Sequence, residues 1–169
     1  MASDTHTIRT RTIFTAVNTT LNGSFGRFPS GTTSTTCLNN ISNFDSLNCL
    51  VNETATTPGF ELMINFTNAS NFSKIILYST YSHSASDIVK FDIWDYSATS
   101  WRSLDLITPS IINVPISRTY TITNNTNYKD SSGYVKTRIV HSSFFLNPGG
   151  LAVSSFFLKA YHDRNALPT

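Results

Sequence analysis

The most suggestive chemistry in this sequence lies in a group of aromatic residues with charged neighbours. Trp94 and Tyr96 are two residues apart at the end of a predicted strand over residues 88–96, so their side chains share one face. Trp101 follows a short polar turn and is expected to lie beside them. Aromatic rings on a polar sheet face can stack on sugar rings while charged neighbours bind the hydroxyls. The group therefore predicts a platform for carbohydrate or for a partner subunit, with packing between strands as the alternative.

A pair of arginines near the start of the sequence forms a second candidate site. Arg9 and Arg11 are separated by one residue within a polar stretch from Thr7 to Ile13. On a strand the two guanidinium groups point the same way, and paired guanidinium groups can bind carboxylates on a partner protein. The pair therefore predicts a partner-binding arm, and an ordinary edge strand with solvated charges is the alternative.

The residues that usually carry catalysis or bind metals do not form a recognisable pattern. The four histidines are scattered, and the sequence has no HExxH motif, no GxSxG motif and no phosphate-binding loop. Asp92 and Asp95 lie on one predicted strand at an odd spacing, which places their carboxylates on opposite faces. Carboxylates on opposite faces cannot act as paired catalytic acids. We therefore expect no enzymatic activity, no cofactor and no metal site.

The two cysteines, Cys37 and Cys49, flank a segment rich in serine and asparagine. A disulfide between them is chemically reasonable, but two free thiols are at least as compatible with a chain made in a reducing cytosol. The residues after the first basic positions do not form the continuous apolar stretch of a secretory signal. We therefore expect synthesis in a cytoplasm without a signal peptide, and the pairing of the cysteines stays open.

Composition indicates which elements must position these residues. The chain has 169 residues, of which 40% are hydrophobic and 13% are charged, and 63 are threonine, serine or asparagine. Glutamine is absent and glutamate and alanine are few, so good helix formers are scarce while β-branched and turn-forming residues are abundant. This composition excludes a helical bundle. The net charge of +2 and the lack of a long apolar run argue against a nucleic-acid-coating protein and a membrane span.

Period-two alternation predicts a strand-rich domain after a turn at Pro58-Gly59. The chain contains about seven or eight such strands, most of them in residues 59–169, and no segment typical of a helix. Residues 1–58 are irregular apart from one alternating run. We therefore predict an all-β protein with an antiparallel two-sheet β-sandwich in residues 59–169, in the form of a jelly roll. An irregular N-terminal arm in residues 1–58 precedes it.

The stretch from Phe60 to Tyr161 resembles a β-sandwich module found in virion structural proteins of tailed bacteriophages. In such modules an aromatic hairpin is followed by a loop, a strand of the form GxVxxRixH and a final apolar strand. The segments that carry the resemblance are Gly59–Leu62, Ile75–Tyr81, Val89–Tyr96 with Ser100-Trp101, and Gly133–His141.

The resemblance implies a structural role on a virus particle. Related modules look like capsid decoration or cement proteins, which bind the outer shell and stabilise it. The implied partners are the major capsid protein or other virion proteins, together with further copies of this chain in a homotrimer. Residues 1–58 would then lie across neighbouring subunits on the capsid surface, after synthesis in the host cytoplasm. The alternative is a carbohydrate-binding module or the receptor-binding tip of a fibre or spike, with a glycan as partner; we expect neither nucleic acid nor a membrane.

Overall fold

The structure is a computed structural model that describes residues 9–15, 17–21, 30–31, 33–42, 49–52, 59–69, 71–81, 88–106, 116–141 and 150–163. In these ranges the chain forms ten β-strands, one α-helix and one 3₁₀ helix. The strands are β1 (Arg9–Thr15), β2 (Asn18–Leu21), β3 (Cys49–Asn52), β4 (Phe60–Phe66), β5 (Lys74–Tyr81), β6 (Val89–Asp95), β7 (Ser100–Leu106), β8 (Ile116–Thr121), β9 (Val135–His141) and β10 (Gly150–Asp163). The α-helix, α1, spans Ser34–Ser42, and the 3₁₀ helix spans Asn125–Tyr128.

The ten strands form two five-stranded antiparallel sheets. The first sheet has the order β1-β10-β5-β8, with β3 also paired to β10, and the second sheet has the order β2-β4-β9-β6-β7. When β2 and β3 are set aside, the other eight strands pair first with last, second with seventh, third with sixth and fourth with fifth. This nested pairing defines a jelly roll. The prediction of an all-β, antiparallel two-sheet sandwich is therefore confirmed.

Alternating residues of the strands fill the space between the two sheets. In β6, Val89, Phe91 and Ile93 are fully buried, while Lys90 is exposed and Trp94 is half-buried on the other side. Strand β9 shows the same alternation, with every second residue buried from its first position to its last. The fully buried large side chains of the core also come from β4, β5 and α1: Phe60, Leu62, Ile64, Phe66, Ile75, Leu77 and Ile41. Because side chains alternate between the two faces of a strand, the buried residues determine which of their neighbours face outward.

Residues 1–58 contribute three strands and the helix. β1 pairs with β10 along its whole length, β2 pairs with β4, and β3 pairs with the start of β10. The sequence predicts only one alternating run in this region, because strands of four residues give too little alternation to be recognised and are held by partners far along the chain. Contact of residues 1–58 with neighbouring subunits stays a prediction.

The helix α1 contradicts the expectation that no segment is helical. The Thr33 hydroxyl accepts a hydrogen bond from the backbone N–H of Thr36 at 3.2 Å, which caps the start of the helix. Cys37 and Ile41, one turn apart, are fully buried, and Cys37 forms a disulfide with Cys49 of β3. Of the two alternatives for the cysteines, the structure therefore contains the disulfide. The crosslink and the buried face stabilise a nine-residue helix that is too short to persist alone.

Among the described residues, no helix is long and apolar enough to cross a membrane.

Candidate functional site

The outward surface of the second sheet carries the predicted aromatic residues. Residues of β4, β6 and β9 that alternate with the buried core residues lie on this surface. The strand order places β9 between β4 and β6, with β7 at the edge. We call this surface the aromatic face and define it by seven residues: Glu61, Asp92, Trp94, Tyr96, Trp101, Lys136 and Arg138.

Trp94 and Trp101 form the centre of the aromatic face. They lie directly opposite each other in the pairing of β6 with β7. Their ring centroids are 5.2 Å apart and their planes are inclined by 76°, which is the favourable edge-to-face arrangement of two aromatic rings. Both side chains are half-buried, so part of each indole stays in contact with water. The structure therefore brings two of the three predicted platform residues into direct contact.

The turn between β6 and β7 sets the register of this contact. Asp95 Oδ1 accepts hydrogen bonds from the backbone N–H groups of Ser97 at 2.9 Å and Ala98 at 3.1 Å, and from the Ser97 hydroxyl at 2.6 Å. The bond from the Ser97 side chain is the largest cause that lowers the pKa of Asp95. A carboxylate bonded in this way fixes a turn, because it satisfies backbone donors that the hairpin leaves unpaired. Trp101 then follows at the position opposite Trp94.

Tyr96 extends the face but turns its hydroxyl inward. The backbone N–H of Tyr96 donates to the carbonyl of Asn127 at 2.7 Å, which ties this end of the sheet to the 3₁₀ helix. The hydroxyl oxygen is buried and has no hydrogen-bond partner among the described residues. Burial raises the pKa of Tyr96 to about 12, with a smaller contribution from the nearby Asp130 carboxylate. Tyr96 therefore offers its ring, and not its hydroxyl, to anything that binds on this face.

Arg138 joins three strands of the second sheet. Its Nε lies 2.8 Å from Oδ2 of Asp92 on β6, and its Nη1 lies 2.8 Å from Oε1 of Glu61 on β4. Its Cζ lies 4.5 Å from the ring centroid of Trp101, which is cation–π geometry. The two ion pairs share the one positive charge of Arg138, so it offsets one of the two carboxylate charges. Nη2 forms no hydrogen bond with any residue that the structure describes.

Lys136 lies two residues before Arg138 on β9 and has different partners. Its Nζ is 5.7 Å from the ring centroid of Trp94 and 5.8 Å from that of Tyr96. In the part of the chain that the structure describes, no carboxylate forms an ion pair with Lys136. The aromatic rings of Trp94 and Tyr96 are thus the neighbours of an ammonium group that has no ion-pair partner among the described residues.

The loop before β9 closes one end of the aromatic face. Asp130 Oδ1 accepts hydrogen bonds from the backbone N–H groups of Ser132 and Tyr134, each at 2.9 Å, and from the Ser132 hydroxyl at 2.6 Å. The Ser132 hydroxyl is the largest cause that lowers the pKa of Asp130. This loop and Asn68 line a polar hollow of about 340 Å³. Asp130 connects the hollow with the aromatic face: its charge contributes to raising the pKa of Tyr96, and the charge of Lys136 contributes to lowering the pKa of Asp130.

The other predicted binding residues, Arg9 and Arg11, lie in β1 and are not part of the aromatic face. Their backbone positions pair with Asp163 and Tyr161 of β10, in the first sheet. Their side chains lie outside what the structure describes, so their role as a partner-binding arm stays a prediction. In the described ranges, no group of three or more His, Cys, Asp or Glu residues is arranged to hold a metal ion.

Sequence reasoning does not single out Glu61, Lys136 and Arg138 as site residues. Alternation within β9 shows that Lys136 and Arg138 face away from the core, and this signal is visible in the sequence. Alternation does not show which strands flank β9. Arg138 is 46 residues from Asp92 and 77 residues from Glu61 along the chain, so only the fold brings them together.

No protein family model and no curated protein matches this chain. Among solved structures, the chain is similar to the carbohydrate-binding module CBM32-4 of Clostridium perfringens in complex with GlcNAc-α-1,4-galactose, with a TM-score of 0.49, 13% identity and coverage of 86% of this chain and 94% of that one. It is also similar to a family 29 carbohydrate-binding module, with a TM-score of 0.45, 10% identity and coverage of 95% and 98%. A third is tailspike protein 4 of bacteriophage CBA120, with a TM-score of 0.45, 8% identity and coverage of 90% and 19%. These neighbours are carbohydrate-binding modules and a phage tailspike, and the likeness to capsid decoration proteins stays a prediction from the sequence.

Proposed function

We propose that this protein binds carbohydrate through the aromatic face. The observation that carries the proposal is the half-exposed pair of Trp94 and Trp101, flanked by the cationic groups of Lys136 and Arg138 on an open sheet surface. A saccharide needs an apolar surface for the C–H groups of its ring and polar groups for its hydroxyls. This face offers both within one contiguous set of side chains.

Each residue of the face has a distinct part in the proposed binding. The indoles of Trp94 and Trp101 remove apolar ring surface of the sugar from water. Nη2 of Arg138 donates a hydrogen bond to a sugar hydroxyl, because the other two guanidinium nitrogens, Nε and Nη1, are held by Asp92 and Glu61. These two carboxylates keep the guanidinium group in place, so the donor is preorganised.

We propose binding without a chemical step. Both carboxylates of the aromatic face are ion-paired with Arg138, so the guanidinium group occupies an oxygen of each. Asp95, the remaining carboxylate of β6, accepts three hydrogen bonds within its own turn. These engagements favour a binding surface over a catalytic pair.

A glycan microarray followed by isothermal titration calorimetry tests the proposal. The protein is expected to bind at least one class of saccharide, and Trp94→Ala or Trp101→Ala is expected to weaken binding at least about tenfold, or about 1.4 kcal/mol. Tyr78→Ala is the matched control, because Tyr78 is a half-buried aromatic residue of β5 in the opposite sheet. Absence of saccharide binding by the folded protein, or unchanged affinity in both tryptophan variants, would contradict the proposal.

The role on a virus particle, the homotrimer and the capsid partner stay predictions that the sequence resemblance implies. A carbohydrate-binding sandwich is compatible with the receptor-binding tip of a fibre or spike as well as with an isolated binding module. Light scattering coupled to size exclusion measures the oligomer directly. A stable trimer would support a place in a symmetric virion assembly, and a monomer at high concentration would favour the isolated module.

A further inference from the structure

Positive charge exceeds negative charge on the strands of the aromatic face. Among the described residues of these strands, three cations project outward, Lys90, Lys136 and Arg138, against the two carboxylates of Glu61 and Asp92. Arg138 is ion-paired with both carboxylates. The two lysines therefore supply positive charge that no ion pair within the described part of the chain compensates.

Lys136 differs from Lys90 in its surroundings. Lys90 is exposed, whereas Lys136 is half-buried with its Nζ within 6 Å of two ring centroids, at 5.7 Å from Trp94 and 5.8 Å from Tyr96. The rings restrict where the ammonium group lies and take the place of part of its water. Asp130 on the neighbouring loop forms no ion pair with Lys136, although the charge of Lys136 contributes to lowering the pKa of Asp130. Oδ1 of Asp130 is engaged by Ser132 and Tyr134.

We propose that the aromatic face prefers acidic saccharides, and that the carboxylate of a uronic or sialic acid residue pairs with Lys136 Nζ. This inference rests on the proposed function and names the ligand class for the same site. A cation whose position is already restricted loses little entropy when it pairs with a ligand. Arg138 offsets one of the two negative charges of Glu61 and Asp92. This ion-paired cluster lies two residues, or about 7 Å, along β9 from Lys136, so a carboxylate at Lys136 Nζ is nearer to the ammonium group than to the cluster.

Matched ligands separate the effect of charge from the effect of ring shape. Oligogalacturonides and sialyllactose are each compared with methyl esters of the same saccharides, which keep the sugar ring and lose the negative charge. We expect the protein to bind the acids about fivefold more tightly than the esters, which is the scale of a solvent-accessible ion pair. The preference should shrink as the salt concentration rises from about 0.1 M to about 1 M, because salt screens the pair.

Three lysine variants assign the preference to one residue. Lys136→Gln is expected to abolish the difference between acid and ester, and Lys136→Arg is expected to retain most of it. Lys90→Gln is the matched control, since it removes the same charge from the same sheet surface. Lys90 pairs with Val140, which is four residues, or about 13 Å, along β9 from Lys136. Lys90→Gln is therefore expected to leave the preference for acids over esters unchanged.

The outcomes distinguish this inference from the proposed function. Equal binding of acids and esters, or an unchanged preference in Lys136→Gln, overturns the inference and leaves carbohydrate binding in place. Failure of the folded protein to bind any saccharide, acidic or neutral, overturns both. Thermal unfolding of each variant checks its fold, because a loss of structure weakens binding of acid and ester alike, whereas the proposed role of Lys136 affects the acid alone.

Discussion

Trp94 and Trp101 face each other across the β6–β7 hairpin, with ring centroids 5.2 Å apart and planes at 76°. Because one ring presents its edge to the other, the two indoles do not form one flat platform. A bound sugar ring would stack on one indole and meet the second along its side. The two indoles also differ in their cationic neighbours, since Arg138 lies over Trp101 and Lys136 lies near Trp94. Each indole of the aromatic face thus has its own cationic neighbour.

The contact between the two tryptophans is expected to stabilise the hairpin. In a double-mutant cycle, Trp94→Ala and Trp101→Ala should show a coupling of about 1 kcal/mol in the free energy of unfolding, as edge-to-face pairs do. Urea unfolding of the protein, the two single variants and the double variant measures it. Strict additivity of the two single effects would mean that the rings do not interact in solution.

Loss of Arg138 is expected to destabilise the protein by about 2–3 kcal/mol, because it leaves the Asp92 carboxylate buried without its charged partner. Arg138→Lys should recover only part of this loss, since one ammonium group cannot reproduce the two directed bonds to Asp92 and Glu61. Chemical denaturation measures both variants.

A second ion pair provides the control for this experiment. Arg118 pairs with Asp105 at a more exposed position, where the side chains keep 25% and 30% of their accessibility. Arg118→Met is therefore expected to cost less than about 1 kcal/mol. A loss of stability at Arg118 as large as that at Arg138 would show that the burial of Asp92 does not determine the cost of losing its ion pair.

The buried hydroxyl of Tyr96 is expected to contribute nothing favourable to stability at neutral pH. It lacks a hydrogen-bond partner among the described residues, so Tyr96→Phe should be neutral or stabilising by up to about 1 kcal/mol. The pKa of Tyr96 is raised to about 12 in the folded protein, against about 10 in an unfolded chain. The folded state therefore holds this proton more tightly, and the protein should lose stability relative to Tyr96→Phe as the pH rises from about 10 to about 12.

Urea unfolding across the alkaline range checks this prediction. The burial that raises the pKa of Tyr120 also gives the protein a second source of alkaline destabilisation, which Tyr96→Phe retains. The comparison therefore depends on the difference between the two curves, not on either curve alone. Parallel curves for protein and variant between about pH 9 and about pH 12 would contradict the burial of the Tyr96 hydroxyl.

Gly133 holds the loop beside the aromatic face in a conformation that other residues rarely adopt. Its φ is 77°, and a Cβ at this position would lie 3.0 Å from the backbone nitrogen of Ala69. Gly133→Ala is therefore expected to cost about 2 kcal/mol or more, from backbone strain and close contact together. Gly31→Ala separates the two causes, since Gly31 has a φ of 83° with no atom within 4 Å of the added Cβ. Equal losses of stability in Gly133→Ala and Gly31→Ala would show that the close contact with Ala69 does not add to the cost.

The disulfide between Cys37 and Cys49 is expected to stabilise the protein by about 3 kcal/mol, because it closes a loop over 12 positions of the chain. Replacement of both cysteines by alanine, followed by thermal unfolding, measures this contribution. The helix α1 should lose its ordered contact with β3, while the aromatic face on the second sheet keeps its ligand. Equal stability with and without reductant would contradict the crosslink.

Local alternation is sufficient to predict the class of fold and the inward and outward faces of β6 and β9. It fails for α1, whose threonines and asparagines are poor helix formers and whose stability comes from the disulfide and from burial of Ile41. The aromatic cluster is visible in the sequence because Trp94 and Trp101 belong to one hairpin. The charged residues of the face cannot be grouped from the sequence, because Asp92 and Glu61, the partners of Arg138, lie on strands far apart along the chain.

The most direct test of the central claim uses the two tryptophans themselves. The chain contains no others, and both belong to the aromatic face, so their two indole N–H signals in a ¹H–¹⁵N spectrum report on this face alone. Titration with a saccharide selected on the glycan microarray is expected to shift both signals in a saturable way. Saturable binding of that saccharide, detected by calorimetry, with both indole signals unchanged would place the binding site elsewhere and contradict the account.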